Sequence, residues 1–561
     1  MAAKRVDRMD RAAGVLRDYW GFTTFRQHQA EAIRAVLDGR DVLAVLPTSS
    51  GKSVLFQVPA VVLPGTAVVV SPLISLMKDQ CDDARSRGLN ATFINSHVDP
   101  PEQKARARGF ERGEYDLIYV APERLRTASF RDVMNRANVN LIAIDEAHCL
   151  SMVGFDFRPS YMLVADAIAS MHTRPPIVAV TATATPPVVD DITERIGLGK
   201  GYKRIITDPI RPNFTYHVMR TNPWRWLERY AKATDPHNGR YVVYAATRRG
   251  AEITASVVSD AVSDPGLVAY YHGGMDSDTR RAVQDRFKAG DTRFVCATNA
   301  FGMGIDIPDI RAVVHFGVPE SLEAYVQETG RGGRDGGPVD AILLTDPKSV
   351  SIRRRFIAGR NPSYQVYRYL WRWMGENLEP GEATVINPAR AGGDIREKWG
   401  CPASGWDVEA ALSVMEAHRV IDRGYRRLGE AYKIDVELLR DTASSGGADD
   451  AMVASAIVAA ADQSRVAMID PASISRDTRV NRATVGAIIG DLIRDGTITP
   501  HHAESVKTVI ADGFDRKLEG LIPESVVDAK RKRDVDRFNS MLQYTTADDR
   551  PGCIRRYFGV A

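Results

Sequence analysis

Short apolar runs separated by helix-length segments fill the first 345 residues of this chain. The runs at 41–46, 66–70, 117–120, 141–144 and 177–180 read as strands buried on both faces. Helix-length stretches stand between them, so the natural arrangement is a series of βαβ units around a parallel sheet. Residues 208–213, Asp-Pro-Ile-Arg-Pro-Asn, form a turn-rich connector. The pattern then restarts at 241–244, 293–297, 312–316 and 341–344. This spacing predicts two α/β lobes, 1–207 and 208–346.

Beyond 346 the period changes. Residues 352–373 carry six arginines, six aromatics and no acid, and 347–393 reads as an Arg/aromatic helical connector. It is either an electrostatic and stacking track for a nucleic-acid strand or a helix packed by its aromatics, and the helical spacing of Trp and Tyr favours packing. Val408, Ala411, Leu412 and Met415 then fall at i, i+3, i+4 and i+7, with Ile421 opening a short apolar exit; Val485, Ile488, Ile489, Leu492 and Ile498 repeat the spacing. A short helix candidate precedes each (394–400 and 471–480). Helix, turn, helix and a strand-like exit is the pattern of a winged helix, so 394–441 and 451–510 are expected to be winged-helix-like modules. Residues 442–450, rich in Ser, Gly, Ala and Asp, read as a linker, and 515–561 as a basic helical tail.

Composition changes this picture little. The chain has 561 residues, 44% hydrophobic and 26% charged, as expected of globular domains. No run approaches the roughly 18 apolar residues of a membrane span, and the charged start, Met-Ala-Ala-Lys-Arg, lacks an apolar signal core. A cytoplasmic protein is the expectation. Cys81, Cys149, Cys296, Cys401 and Cys553 are scattered and include no C-x-x-C pair, which argues against a disulfide framework and a four-thiolate zinc site. A net charge of +3 is too mild to indicate a nucleic-acid partner by itself.

Three stretches carry chemistry. Residues 47–53, Pro-Thr-Ser-Ser-Gly-Lys-Ser, join the first strand to a helix. Backbone N–H groups of such a loop (Thr48, Ser49, Ser50, Gly51) cradle phosphates, Lys52 reaches the β- and γ-phosphates, and the Ser53 hydroxyl can ligate magnesium. The strict phosphate-loop pattern would place a glycine where this chain has Leu46. Asp145 and Glu146 end an apolar strand, where open α/β sheets present ligands; Asp145 would hold magnesium and Glu146 would orient and deprotonate a water. Residues 327–335, headed by Gln327, place Arg331 and Arg334 in a Gly-rich turn, where one of them can act on transition-state charge as an arginine finger.

With these residues in order, the chain resembles superfamily 2 helicases and, within them, the RecQ family, over roughly 15–345. Residues 22–29 are similar to the adenine-reading motif, which implies that Phe22 stacks on the base and Arg26 and Gln29 contact the nucleotide. Residues 71–80 and 119–125 resemble strand-contacting motifs and so implicate Ser71 and Arg124 in DNA binding. The 181–185 stretch, with Thr181 and Thr183, resembles the segment coupling ATP to DNA. In the second lobe, 297–306 implies roles for Thr298 and Phe301 at the DNA and for Asp306 at the nucleotide. Residues 151–159 stand where the family carries an aromatic-rich loop. Gln-Trp-Gly-His is replaced there by Met-Val-Gly-Phe, leaving Phe155, Phe157 and Arg158 to stack or bind. The family's four-cysteine zinc module has no counterpart in 346–400, which holds no cysteine, so zinc is not expected. Residues 537–559 look like the start of that module, displaced and cut short.

The resemblance implies two RecA-like parallel-sheet lobes followed by mainly helical, winged-helix-like modules. It further implies ATP and Mg²⁺ as cofactors, single-stranded and tailed or forked duplex DNA as partners, 3′-to-5′ travel, and a role in repair or recombination. A DNA-dependent ATPase that translocates or switches without unwinding, and an RNA-directed ATPase of the same superfamily, remain as alternatives.

Overall fold

The computed structural model describes residues 2–72, 74–95, 98–302, 307–382, 384–426, 430–445, 447–461, 466–469, 471–501 and 506–560. They form two compact units. One comprises Met1–Gly359 and Asp528–Ala561, the other Arg360–Val527.

The first unit contains both lobes. Lobe 1 is built on seven parallel strands: β1 (Val42–Val45), β2 (Thr66–Val70), β3 (Ala91–Ile94), β4 (Leu117–Val120), β5 (Val139–Ile144), β6 (Ile177–Thr181) and β7 (Lys203–Ile206), in the order β3-β4-β2-β5-β6-β1-β7. Side chains alternate across it, as a period of two requires. Leu43 and Val45 enter one core, Val42 and Ala44 the other. Lobe 2 has six parallel strands: β8 (Phe214–Arg220), β9 (Arg240–Ala245), β10 (Val268–Tyr271), β11 (Phe294–Ala297), β12 (Ile310–Phe316) and β13 (Val339–Thr345), in the order β10-β11-β9-β12-β13-β8. These are the two RecA-like lobes that the resemblance implied.

The chain end returns to lobe 2. Phe538, Met541 and Tyr544 of the helix Glu524–Thr546 and Ile554 and Phe558 of the helix Arg550–Phe558 are buried against Val318, Leu322, Tyr325, Leu343 and Ile357. Tyr544 donates its hydroxyl proton to Tyr325 Oη at 3.0 Å. The segment expected as one tail, 515–561, is therefore divided at 527/528. The connector expected at 347–393 is divided too. The helix Pro347–Gly359 belongs to lobe 2 through Ile357, and the helix Tyr364–Asn377 to the second unit.

In the second unit the aromatics of 364–373 are core. Tyr364, Tyr367, Trp371 and Trp373 are buried, and three satisfy their polar ends: Tyr364 Oη on Ile522 O (2.7 Å), Trp371 Nε1 on Arg516 O (3.0 Å) and Trp373 Nε1 on Asp394 Oδ2 (3.0 Å). The helices Pro388–Trp399 and Gly405–Ala417 lead to β14 (Ile421–Arg426). That strand pairs with β18 (Val506–Ala511), antiparallel. The second helix-turn-helix lies between these two strands in sequence. It comes with its own sheet of β15 (Glu430–Ile434), β16 (Val466–Ile469) and β17 (Ile498–His501), in the order β16-β15-β17. One module is thus inserted in the strand pair of the other. The stretch expected as a linker, 442–450, is mostly helical: Val436–Ser445 ends in it and Ala448–Ala459 begins in it. Alanine favours helix, and Leu439, Val453, Ala454 and Ile457 give both helices a buried face. Among the described residues, no helix is long and apolar enough to cross a membrane.

Candidate functional site

The carboxyl ends of β5, β6 and β1 lie side by side in lobe 1 and present the predicted residues together. After β1 the chain passes through Leu46, buried in the core and donating its N–H to Thr181 O at 3.0 Å. A packed residue therefore extends the sheet where the strict pattern has glycine. The loop then needs left-handed backbone at Ser49 (φ 67°) and Gly51 (φ 77°). For Ser49 that conformation costs of order 1 kcal/mol. A Cβ on Gly51 would lie 2.5 Å from Gln29 Nε2. Gln29 fastens the loop from outside, donating to Ser50 O (3.1 Å) while its Oε1 accepts the Arg26 N–H (3.1 Å). Arg26 itself donates to Ser49 O at 3.3 Å. Arg26 and Gln29, expected to contact the nucleotide, thus both bond to the 47–53 loop. Phe22, expected to stack on the base, is 61% exposed.

Lys52 follows Gly51, with Nζ 3.5 Å from Leu46 O. Burial and the arginines Arg334 and Arg331 pull its pKa down, against Glu146 and Asp145, which pull it up. Asp145 continues β5, its N–H donating to Val70 O at 2.9 Å. Its Oδ2 accepts from Gln80 Nε2 (3.0 Å) and its Oδ1 from the Glu146 N–H (3.0 Å), while Tyr161 donates to its carbonyl (2.9 Å). Glu146 has φ 47°, in the left-handed region that a non-glycine residue rarely adopts. Burial and the neighbouring Glu146 raise the pKa of Asp145. Burial also acts to raise that of Glu146, but His148 and Lys52 outweigh it and hold it low. His148 Nδ1 lies 3.3 Å from Glu146 Oε2 and 2.8 Å from Thr181 Oγ1, and its ring stacks on Phe155 (centroids 5.1 Å, 12°).

Lobe 2 supplies the facing wall. A cleft of about 720 Å³ is lined by Thr48, Ser49, Gly51, Lys52, Ser53, Asp145 and Glu146 from lobe 1 and by Gly302, Gln327, Arg331 and Arg334 from lobe 2. The arginines follow the helix Leu322–Thr329, and Arg331 is buried with its guanidinium donating to Gly302 O.

The remaining expected residues divide. Thr181 and Thr183 are buried next to the site, the Thr181 hydroxyl donating to Thr183 O at 3.3 Å. Ser71 is buried at the end of β2. Arg158 donates to Pro72 O (3.0 Å) and Asp156 Oδ2 (3.2 Å), and Phe157 is half-buried. Arg124 lies near the Phe130 ring, 6.0 Å from its centroid. Thr298 is buried, and its hydroxyl accepts the Ala300 N–H at 3.4 Å. Phe301, expected at the DNA, is 1% exposed and packs edge-on against Tyr271 and Phe287 in the core of lobe 2. A ring so enclosed has no face for a base. Asp306 lies outside the described residues. The site also contains partners that residue type did not mark: Gln80 on Asp145, His148 on Glu146, and Arg211 behind the arginine turn. Gln80 and Arg211 stand inside the noted stretches 71–80 and 208–213, but only tertiary contact gives them a role.

Residues 26–192 match the DEAD/DEAH box helicase family and 225–336 the helicase conserved C-terminal domain. The chain is 40% identical over 351 residues to the ATP-dependent DNA helicase RecQ of Bacillus subtilis, covering 62% of this chain and 58% of that protein. It is 35% identical over 437 residues to the RecQ of Pasteurella multocida, covering 76% and 67%. The chain thus spans about three-fifths of the first relative's length. The crystal structure of the helicase MrfA bound to DNA shares the fold (TM-score 0.52, 21% identity, 62% of this chain and 52% of that one). By its motifs, its two lobes and its kinship with the Pasteurella protein, the chain belongs to the RecQ family of superfamily 2 helicases.

Proposed function

We propose that this chain is an ATP- and magnesium-dependent DNA motor that travels along single-stranded DNA and separates duplex, 3′ to 5′, in repair or recombination. One observation carries this reading: Lys52, Asp145 and Glu146 of one lobe share a cleft with Arg331 and Arg334 of another. In it the 48–53 loop and Lys52 bind the phosphates. Ser53 and Asp145 would hold magnesium through their oxygens, and the bound ion would supply positive charge against the phosphates. Both residues line the cleft and offer the hard donors that this ion takes. Glu146 orients the attacking water and accepts its proton. The arginines meet the charge that develops on the γ-phosphoryl group. Coupled closing of the lobes would advance the DNA, with Thr181–His148–Phe155 joining the carboxylates to the loop at 151–158.

A second reading, translocation without unwinding, draws support from that loop. Val153 packs on the lobe 1 core and Phe155 lies on His148, so two residues of the altered stretch turn inward. ATP hydrolysis with and without single-stranded DNA, together with displacement of a strand from a 3′-tailed duplex, tests both readings, with Lys52→Ala as control. Stimulation with displacement supports the first and stimulation alone the second. Equal stimulation by RNA would sink the choice of DNA.

A further inference from the structure

The connector between the lobes does more than join β7 to β8. Arg211 donates to the carbonyls of Gly330 (3.3 Å), Gly332 (2.7 Å) and Gly333. Asn213 Nδ2 donates to Gly333 O (3.2 Å) and Gly337 O (2.7 Å). Two connector side chains therefore gather four carbonyls of the turn that bears Arg331 and Arg334. A glycine-rich turn has few conformational constraints of its own, so its shape depends on such donors. The guanidinium is fixed in turn, 4.8 Å from the Phe214 ring centroid. Asp208, three residues earlier, accepts both Arg555 Nε (2.9 Å) and Nη2 (2.8 Å) from the helix Arg550–Phe558. On its other side the turn meets the phosphate loop, since a Cβ on Gly330 would lie 3.0 Å from Thr48 Oγ1.

We propose that Arg211 is a positioning residue for the arginine pair. It holds the 330–334 turn so that Arg331 and Arg334 stand across the cleft from Lys52, and it ties that turn to the segment whose torsions must change when the lobes move. The forked guanidinium suits this task because it serves several carbonyls at once, which an ammonium on a flexible stem cannot do in fixed geometry. The inference rests on the ATPase reading given above.

The test compares, on the full chain with magnesium present, affinity for ADP with affinity for ADP plus aluminium fluoride, a mimic of the transferring phosphoryl group. Arg211→Ala and Arg211→Lys are expected to bind ADP within about twofold of the natural protein. They should lose at least about tenfold of the extra affinity for the fluoride complex, with a matching fall in kcat and little change in KM for ATP. Asn213→Ala, which leaves Arg211 in place, should show a smaller loss of the same kind and keeps the test open if the first variants fail to fold. Full rescue by lysine would reduce Arg211 to a charge and overturn the proposal. Equal losses for ADP and for the fluoride complex would also overturn it. A natural protein that binds ADP no tighter with fluoride than without would overturn the ATPase reading and the proposal with it.

Discussion

Removing the Lys52 ammonium would leave Asp145 and Glu146 buried beside one another without the lysine that both face. Lys52→Ala should cut DNA-stimulated ATP turnover by about 10²-fold or more, measured as steady-state phosphate release. Arg334→Ala should slow turnover while sparing ATP binding, and equal losses of both would count against a finger role. A different residue tests the frame. Asp41 sits ahead of β1 and accepts four hydrogen bonds: from Arg174 (3.1 and 2.7 Å), Ile177 N (2.9 Å) and Gly199 N (2.8 Å). Burial acts to raise its pKa, but these donors outweigh it and hold it below the usual value. The stabilisation is therefore present above the unfolded carboxylate's pKa of about 4 and is lost as pH falls through the lower folded value. Asp41→Asn should cost about 1–3 kcal/mol near neutral pH, seen as a lower melting temperature of lobe 1. The gap to the natural protein should narrow below about pH 4; a gap independent of pH would assign the cost to shape rather than charge. At this scale the chemistry-bearing residue types Lys52, Asp145 and Glu146 were legible as candidates, and the fold brings them into one cleft. The sequence was least legible at Phe301, whose partners Tyr271 and Phe287 enclose it in a core, and it did not announce the bond from Gln29 to Ser50 O.

Elements were legible in proportion to how completely they are enclosed. The nine apolar runs all fall on strands of the two sheets, whereas β3, β7, β8 and β10 escaped notice, and these are the four edge strands. An edge strand pairs on one side only, and none of the four carries a long aliphatic run: β7 reads Lys-Arg-Ile-Ile and β8 Phe-Thr-Tyr-His-Val-Met-Arg. Helix spacing fared better. Val485, Ile488, Ile489 and Leu492 are buried as their period requires. On the outside of that module Arg476, Arg479 and Arg482 are exposed, at the turn between the helices Pro471–Thr478 and Arg482–Arg494. The corresponding helix of the first module, Gly405–Ala417, carries Asp407, Glu409 and Glu416 and no basic residue. The exposed arginines of the second module cluster at its inter-helix turn, a placement that suits phosphate. Replacing Arg476, Arg479 and Arg482 by alanine should weaken binding to blunt duplex and lower its salt slope by up to about three. ATP turnover stimulated by single-stranded DNA should stay within about twofold. An unchanged salt slope would show that the duplex is held elsewhere.

At the scale of the whole molecule, chain order and spatial order part company. The second unit, Arg360–Val527, interrupts lobe 2, whose last helices are supplied by 528–561. No local pattern announces such nesting, because each piece looks like an ordinary helix until its buried face is matched. The match is specific. Phe538, Met541, Tyr544, Ile554 and Phe558 close over Tyr325 and Leu343, and Arg537 Nε lies 3.7 Å from the buried Glu323. Burying five such side chains contributes about 10 kcal/mol as an upper estimate, which is comparable with the whole stability of a domain. Two deletions should therefore behave oppositely. Ending the chain at 527 strips lobe 2 of this cover and should yield a protein that melts early or aggregates, although both RecA-like sheets are intact in its sequence. Replacing 360–527 by a flexible bridge of about ten residues keeps the cover and should preserve the melting transition and ADP binding of the lobes, while any duplex affinity held by the second module is lost. Calorimetry of the two variants decides. A stable protein ending at 527 would mean that the terminal helices merely rest on lobe 2, whereas collapse of the bridged variant would mean that the lobes need the inserted unit to fold.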